Sequence, residues 1–335
     1  MIRVFVVDDS AFVRKALTRI LSMDPQLRVV GEARNAEDAL ARIPALNPDV
    51  VTLDVQMEGL DGLQLLRALL AWRPTLPVIM LSAHTREGAS ATAEALALGA
   101  VGVIDKSAFS PMDLDGLGRH TIETIRLCRD LKPRADAAKP TKASHLPDLS
   151  HCEVLVIGAS TGGPPALQKV LEHLPASYPL PILIAQHMPP GFTDAFARRL
   201  NTLCRIQVRE GAENDTVRAG TALIAPAGKH MRLTRKGTIV LSDEPQGEPH
   251  RPSVNVLMTS VAVARPGRVL GVLLTGMGDD GAEAMCLVKA QGGVTLAESE
   301  ESCVVYGMSR AAHERGGVSA LLPLGQLVEV LRTLG

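Results

Sequence analysis

Along this chain, short apolar runs alternate with segments of helical period, and each run stops at a polar residue or a glycine turn. Ile2–Val7, Leu27–Ala33, Val50–Leu53, Val78–Leu81 and Val101–Ile104 are rich in β-branched residues. Runs that are apolar on both faces suit strands covered on both sides, as in a parallel sheet. Ala11–Ser22, Ala36–Leu46, Gly62–Trp72, Arg86–Leu98 and a stretch from Pro111 to about Leu131 carry helical spacing. Ser10 is placed to cap the first of these and Gly99 to stop the fourth. Such alternation admits few folds, because a strand–helix–strand crossover makes neighbouring strands parallel and puts helices on the faces. Residues 1–125 are therefore predicted to form a doubly wound α/β domain. The alternation fades over residues 126–151, where Pro133, Pro140 and Pro147 interrupt a polar stretch that reads as a linker. It resumes over residues 152–335, a second predicted α/β domain.

The polar residues of the first domain converge. Asp8, Asp9, Asp54, Ser82 and Lys106 all stand at or just past the C-terminal ends of predicted strands. That edge is where doubly wound sheets bind ligands. Acids gathered at one point repel one another without a cation, and an all-oxygen set suits Mg²⁺ with a phosphate. A hydroxyl and a lysine nearby can neutralise phosphoryl oxygens. In this order the five positions resemble the flavodoxin-like receiver domain of two-component response regulators. The resemblance implies that Asp54 accepts a phosphoryl group from a histidine kinase, that Asp8, Asp9 and Asp54 hold Mg²⁺, and that Ser82 and Lys106 contact the phosphoryl oxygens. Three positions depart from the usual pattern. Glu58 and Ser107 stand where proline is common, and Val103 replaces the usual switching aromatic.

Composition excludes several classes. A net charge of -1 argues against a general nucleic-acid or membrane-surface binder. No apolar run is long enough to span a bilayer, and no signal-peptide pattern opens the chain. The five cysteines are scattered without a C-x-x-C pair, which suits a reduced, cytoplasmic protein. Eight aromatic residues (five Phe, two Tyr, one Trp) are too few for stacking on bases to be the main activity.

In the second half, Glu153–Gly163 reads E-V-L-V-I-G-A-S-T-G-G, an apolar strand, a glycine turn and, after Pro164 and Pro165, a helix. The turn fits a plain loop, an anion-binding loop, or the G-x-S-x-G pattern of a nucleophilic serine. Two further strand ends favour the last. Pro181–Ala185 runs into Gln186 and His187, and Val269–Leu274 runs into T-G-M-G-D-D-G with Asp280. Serine needs an adjacent base, and a carboxylate on the far nitrogen of the imidazole fixes the useful tautomer. Ser160, His187 and Asp280 are the candidate trio. Backbone N–H groups in the Gly276-Met277-Gly278 turn, with a hydroxyl contact from Thr161, are candidates for binding an oxyanion. Residues 206–243 read as a β-rich insert, and Ser253 as the cap of a helix running to Ala264. The order Ser, His, Asp differs from that of α/β-hydrolases and leaves a Rossmann-like sheet as the expected frame.

V-I-G-A-S-T-G-G, I-A-Q-H-M-P-P-G-F-T, L-T-G-M-G-D-D-G-A and S-C-V-V-Y-G-M-S-R closely resemble the chemotaxis protein-glutamate methylesterase family. Ser309 departs from it, where proline is common. The resemblance implies phosphorylation-activated hydrolysis of glutamyl methyl esters on chemoreceptor cytoplasmic helices, deamidation of certain glutamines, no cofactor in the second domain, and an active site uncovered when the receiver is phosphorylated. The alternative is a phosphorylation-gated binding or transcriptional module, which would need a basic recognition helix that this half lacks. A dinucleotide-dependent oxidoreductase would need an acid where Gln186-His187 stands.

Overall fold

The computed structural model describes residues 1–57, 61–83, 85–106, 121–126 and 147–334. Glu58, Ser107, Cys128, most of the stretch read as a linker and most of the predicted helix from Pro111 lie outside the described residues; 121–126 is helical. The chain divides into two compact units, 1–133 and 134–335. No helix among the described residues is long and apolar enough to cross a membrane.

The first unit contains five strands: β1 (Ile2–Val7), β2 (Leu27–Ala33), β3 (Val50–Asp54), β4 (Val78–Ser82) and β5 (Gly102–Asp105). They pair in the order β2-β1-β3-β4-β5, all parallel. β3 and β4 are buried at every position, which is why both read as unbroken apolar runs. The order reverses between β1 and β3, so their C-terminal ends flank the crevice such folds use for ligands. Helix starts follow local chemistry. Ser10 accepts from the Val13 amide, Asn35 from Asp38, and Asp61 forms a capping box with Gln64.

The second unit is built on β6 (Val154–Ala159), β7 (Ile182–Gln186), β8 (Gln207–Glu210), β9 (Thr221–Ile224), β10 (His230–Leu233), β11 (Ile239–Ser242), β12 (Val269–Leu273), β13 (Val294–Glu298) and β14 (Ala320–Leu322). Seven of these form one sheet, β14-β13-β12-β6-β7-β9-β8, with every pair parallel. β6 lies between β7 and β12, so the strand before Ser160 sits where the order reverses. The helix Val254–Ala264 buries Val254, Leu257, Met258, Val261 and Ala262, the spacing of a single helical face. That face joins the core formed by the sheet and the helix Ala282–Ala290.

Two features correct the sequence reading. Only β10 and β11 form a separate antiparallel pair. β8 and β9, expected in the insert, extend the main sheet beyond β7. Strands of four residues announce themselves by composition but not by partner, because pairing is non-local. The helix Met308–Glu314 and strand β14 have no counterpart in the sequence pattern, since seven and three residues are too short for a periodic signal.

Candidate active site and phosphoacceptor site

Main-chain hydrogen bonds tie three neighbouring strand ends together. Ser160 N donates to Thr275 O at 3.1 Å, joining the turns after β6 and β12. His187 N donates to Ala159 O at 3.0 Å, joining β7 to β6. Ser160, His187 and Asp280 thus share one rim. Gly162 makes the first turn possible: its φ is +76°, and an added Cβ would lie 2.4 Å from Val304 Cβ.

His187 Nε2 lies 2.8 Å from Asp280 Oδ2. A carboxylate only accepts, so Nε2 carries the proton of the neutral ring and Nδ1 presents the lone pair. Nδ1 is buried and has no hydrogen-bond partner. No hydrogen bond joins Ser160 Oγ to His187 among the described residues; the pair His187–Asp280 is formed and the contact with serine is not. Such contacts commonly tighten only on substrate binding. Ser160 is 9% exposed.

Asp280 is held by four donors. Besides His187, it accepts from Ser253 Oγ at 2.9 Å, from Val254 N at 2.7 Å and from Asn255 N at 2.8 Å. The two amides are the first of the helix Val254–Ala264, whose N-terminus favours a negative charge. Burial pushes the Asp280 carboxyl up, but His187 and the Asn255 and Val254 amides outweigh it and hold it below the usual range. The sequence named Ser253 as a cap, which it is, through Val256 N at 3.2 Å; that this cap also holds the acid was not legible. Behind it, buried His230 accepts the Ser253 amide through Nδ1 at 3.3 Å.

The T-G-M-G turn is fixed from behind. The carboxylate of Glu298, fully buried at the end of β13, accepts from Thr275 N at 2.9 Å. Thr275 Oγ1 donates to Thr161 O at 2.9 Å and accepts from Val305 N at 2.9 Å. Gly276 N donates to Val305 O, so this amide is not available to an oxyanion, whereas the Thr161 and Met277 amides have no partner among the described residues. An added Cβ at Gly276 would lie 2.2 Å from Met308 Sδ and 2.9 Å from Ser160 Cβ. Ser309 is buried in the first turn of its helix, where proline is also tolerated, and donates to Leu273 O at 3.4 Å. His250, which no sequence motif singles out, stacks on His187 with ring centroids 4.1 Å apart.

In the first unit, Lys106 Nζ donates to Asp54 Oδ2 at 2.7 Å. It lies 3.0 Å from Asp8 Oδ2, although outside hydrogen-bond geometry. Arg14 pins the acidic turn by donating to the carbonyls of Asp8 and Asp9. Burial, then the charge of Asp8, push the Asp54 carboxyl up to about 6, against the pull of Lys106. Burial likewise raises Asp8. Burial depresses the Lys106 ammonium, but Asp54 and Asp8 outweigh it and raise it. Ser82 is buried at the neighbouring strand end, its Oγ donating to Ala83 O at 3.4 Å. Oxygens of Asp8, Asp9 and Asp54 lie within 4.8 Å of one another, and carboxylate oxygens are the donors Mg²⁺ prefers, so the set fits that ion.

Fold and site define a class: a five-stranded unit with a buried acidic and lysine cluster at its switch point, followed by a parallel α/β unit with Ser, His and Asp on one rim. The response regulator receiver domain family matches residues 4–115, and the CheB methylesterase family matches residues 155–331. A protein-glutamate methylesterase/protein-glutamine glutaminase of Lawsonia intracellularis is 42% identical, covering 98% of both chains. One of Halalkalibacterium halodurans is 44% identical over 94% of this chain and 92% of its own. The crystal structure of the Thermotoga maritima CheB methylesterase catalytic domain is 36% identical, with a TM-score of 0.53, covering 55% of this chain and 99% of that one. The chain belongs to the family of two-unit protein-glutamate methylesterases/protein-glutamine glutaminases.

Proposed function

We propose that this chain is a phosphorylation-activated hydrolase that removes methyl esters from glutamyl side chains of chemoreceptors, and deamidates certain of their glutamines, in the cytoplasm. The observation that carries it is the 2.8 Å His187–Asp280 pair on the rim that bears Ser160, in a chain aligned end to end with relatives named for this activity.

Ser160 Oγ attacks the ester carbonyl while His187 Nδ1 takes its proton. Asp280 holds the other ring proton and stabilises the imidazolium. The Thr161 and Met277 amides receive the oxyanion. As the tetrahedral species collapses, the imidazolium returns the proton to the leaving oxygen and methanol departs; from glutamine, ammonia departs. Water, deprotonated by His187, then cleaves the glutamyl ester of Ser160, and the proton returns to Ser160. Ser160→Ala is expected to lower methanol release from methylated receptor membranes by at least ~10³-fold.

In the first unit, Asp54 accepts a phosphoryl group from a histidine kinase, with Ser82 and Lys106 receiving its oxygens. Asp8, Asp9 and Asp54 would hold Mg²⁺, which when bound neutralises charge on the transferring group. Phosphorylation then relieves inhibition of the second unit. Asp54→Asn is expected to remove stimulation of methanol release by acetyl phosphate; full stimulation of that variant would refute the gating.

A further inference from the structure

Gln186 is the last residue of β7, directly before His187, and pairs in register with Ala159, directly before Ser160. It is 1% exposed. Its side-chain Nε2 donates twice, to Ser160 O and to His187 O, each at 2.9 Å. An amide NH₂ has two protons, and here both are spent on the main chains of the nucleophile and the base. Ser160 O accepts a second bond from Gly163 N at 2.8 Å, which fills its two lone pairs. The other end of the amide is unusual, since Oε1 is buried with no hydrogen-bond partner. Buried polar atoms are almost always satisfied, so an orphan marks a group held in place for another reason. Oε1 also occupies the space a side chain at 163 would need: a Cβ there would lie 2.1 Å from it.

From this geometry we infer that Gln186 is a positioning residue for the reaction, a buried strut whose amide fixes the spacing of the Ser160 and His187 main chains, and that position 163 is glycine to leave room for it. The inference rests on the hydrolytic reading above. His187 is tethered elsewhere by Asp280, and Ser160 N by Thr275, but among the described residues Gln186 is the side chain that bonds both at once. A small drift between serine and imidazole weakens proton transfer without touching the surface that receives substrate. The expected signature is therefore a loss in kcat with KM preserved.

The test uses the full chain and four proteins: wild type, Gln186→Met, Gly163→Ala and the double variant. Methionine keeps length and apolar fit but donates nothing; alanine at 163 displaces the amide while leaving it present. Methanol release from methylated receptor membranes and phosphonylation of Ser160 by a small fluorophosphonate are followed together, each normalised to folded protein from a thermal melt. Each single variant is expected to lose on the order of 10–100-fold in kcat and in phosphonylation rate, with KM within about twofold. The double variant should be no worse than the poorer single one, since both remove the same strut. Retained rates in both single variants, fully additive losses, or losses wholly accounted for by unfolded protein would each overturn the inference. If wild type is phosphonylated at Ser160 but releases no methanol, the methylesterase reading fails, while slowed phosphonylation in the variants still upholds the strut.

Discussion

At the scale of single residues, burial pushes both Asp280 and Asp54 up, and only at Asp280 do the surrounding donors outweigh it. Asp280 is surrounded by donors and held below the usual carboxylate range. Its contribution to stability is therefore present above that range and lost as pH falls through its lowered folded-state value. Asp280→Asn is expected to destabilise at neutral pH, to approach wild type in strong acid, and to lower kcat by up to about 10⁴-fold, the scale seen when a triad acid is neutralised. Urea melts across pH and methanol release check it. Asp54 has the reverse sign. Its carboxyl is displaced from 3.8 to about 6, so the native state loses stability as pH rises between those values and bears the whole cost above 6. Without Mg²⁺, Asp54→Asn is expected to gain up to roughly 3 kcal/mol at pH 7.5 and nothing below about pH 3.5. An equal gain at both pH values would show that burial of charge is not the cause. Asp54 could be read from its strand end and Asp280 from the turn that follows a strand, whereas the groups that set their acidities, Asp8 and Lys106 for Asp54 and His187 with the Val254 and Asn255 amides for Asp280, lie far off in the chain.

At the scale of elements, function depends on turns locked by neighbours. The turn after β12 is held by Glu298 from β13 and by Val305, two segments distant from it in the chain. Gly276→Ala would drive a methyl group into Met308 and Ser160. It is expected to lower kcat by at least about tenfold with KM little changed, read by methanol release. The N-cap of the helix Val254–Ala264 has a double duty, since Ser253 Oγ serves both Val256 N and Asp280. Ser253→Ala should therefore cost about 1–2 kcal/mol of stability and some activity as well; a stability loss with kcat untouched would separate the two duties. Ser253 as a cap could be read from its place before an apolar run. Its bond to a carboxylate 27 residues on could not.

At the scale of the whole molecule, two compact units, each built on a parallel sheet, share one polypeptide. Such an arrangement is expected to melt in two calorimetric transitions, with Mg²⁺ raising the one that belongs to the acidic cluster. A single transition, moved bodily by Mg²⁺, would mean that the cores unfold as one. By itself the sequence determined the alternation of strands and helices, the parallel sense of the two main sheets, and the turns at their strand ends that carry Ser160, His187, Asp280, Asp8, Asp54 and Lys106, because side-chain period and helix caps are local properties. Tertiary structure alone decided that β8 and β9 belong to the main sheet, that a helix N-terminus cradles Asp280, that Nδ1 of His187 is the nitrogen left free, and that Gln186 spans serine and histidine. Each of these turns on which distant groups meet, and hydrogen-bond partners separated by tens of residues leave no periodic trace along the chain.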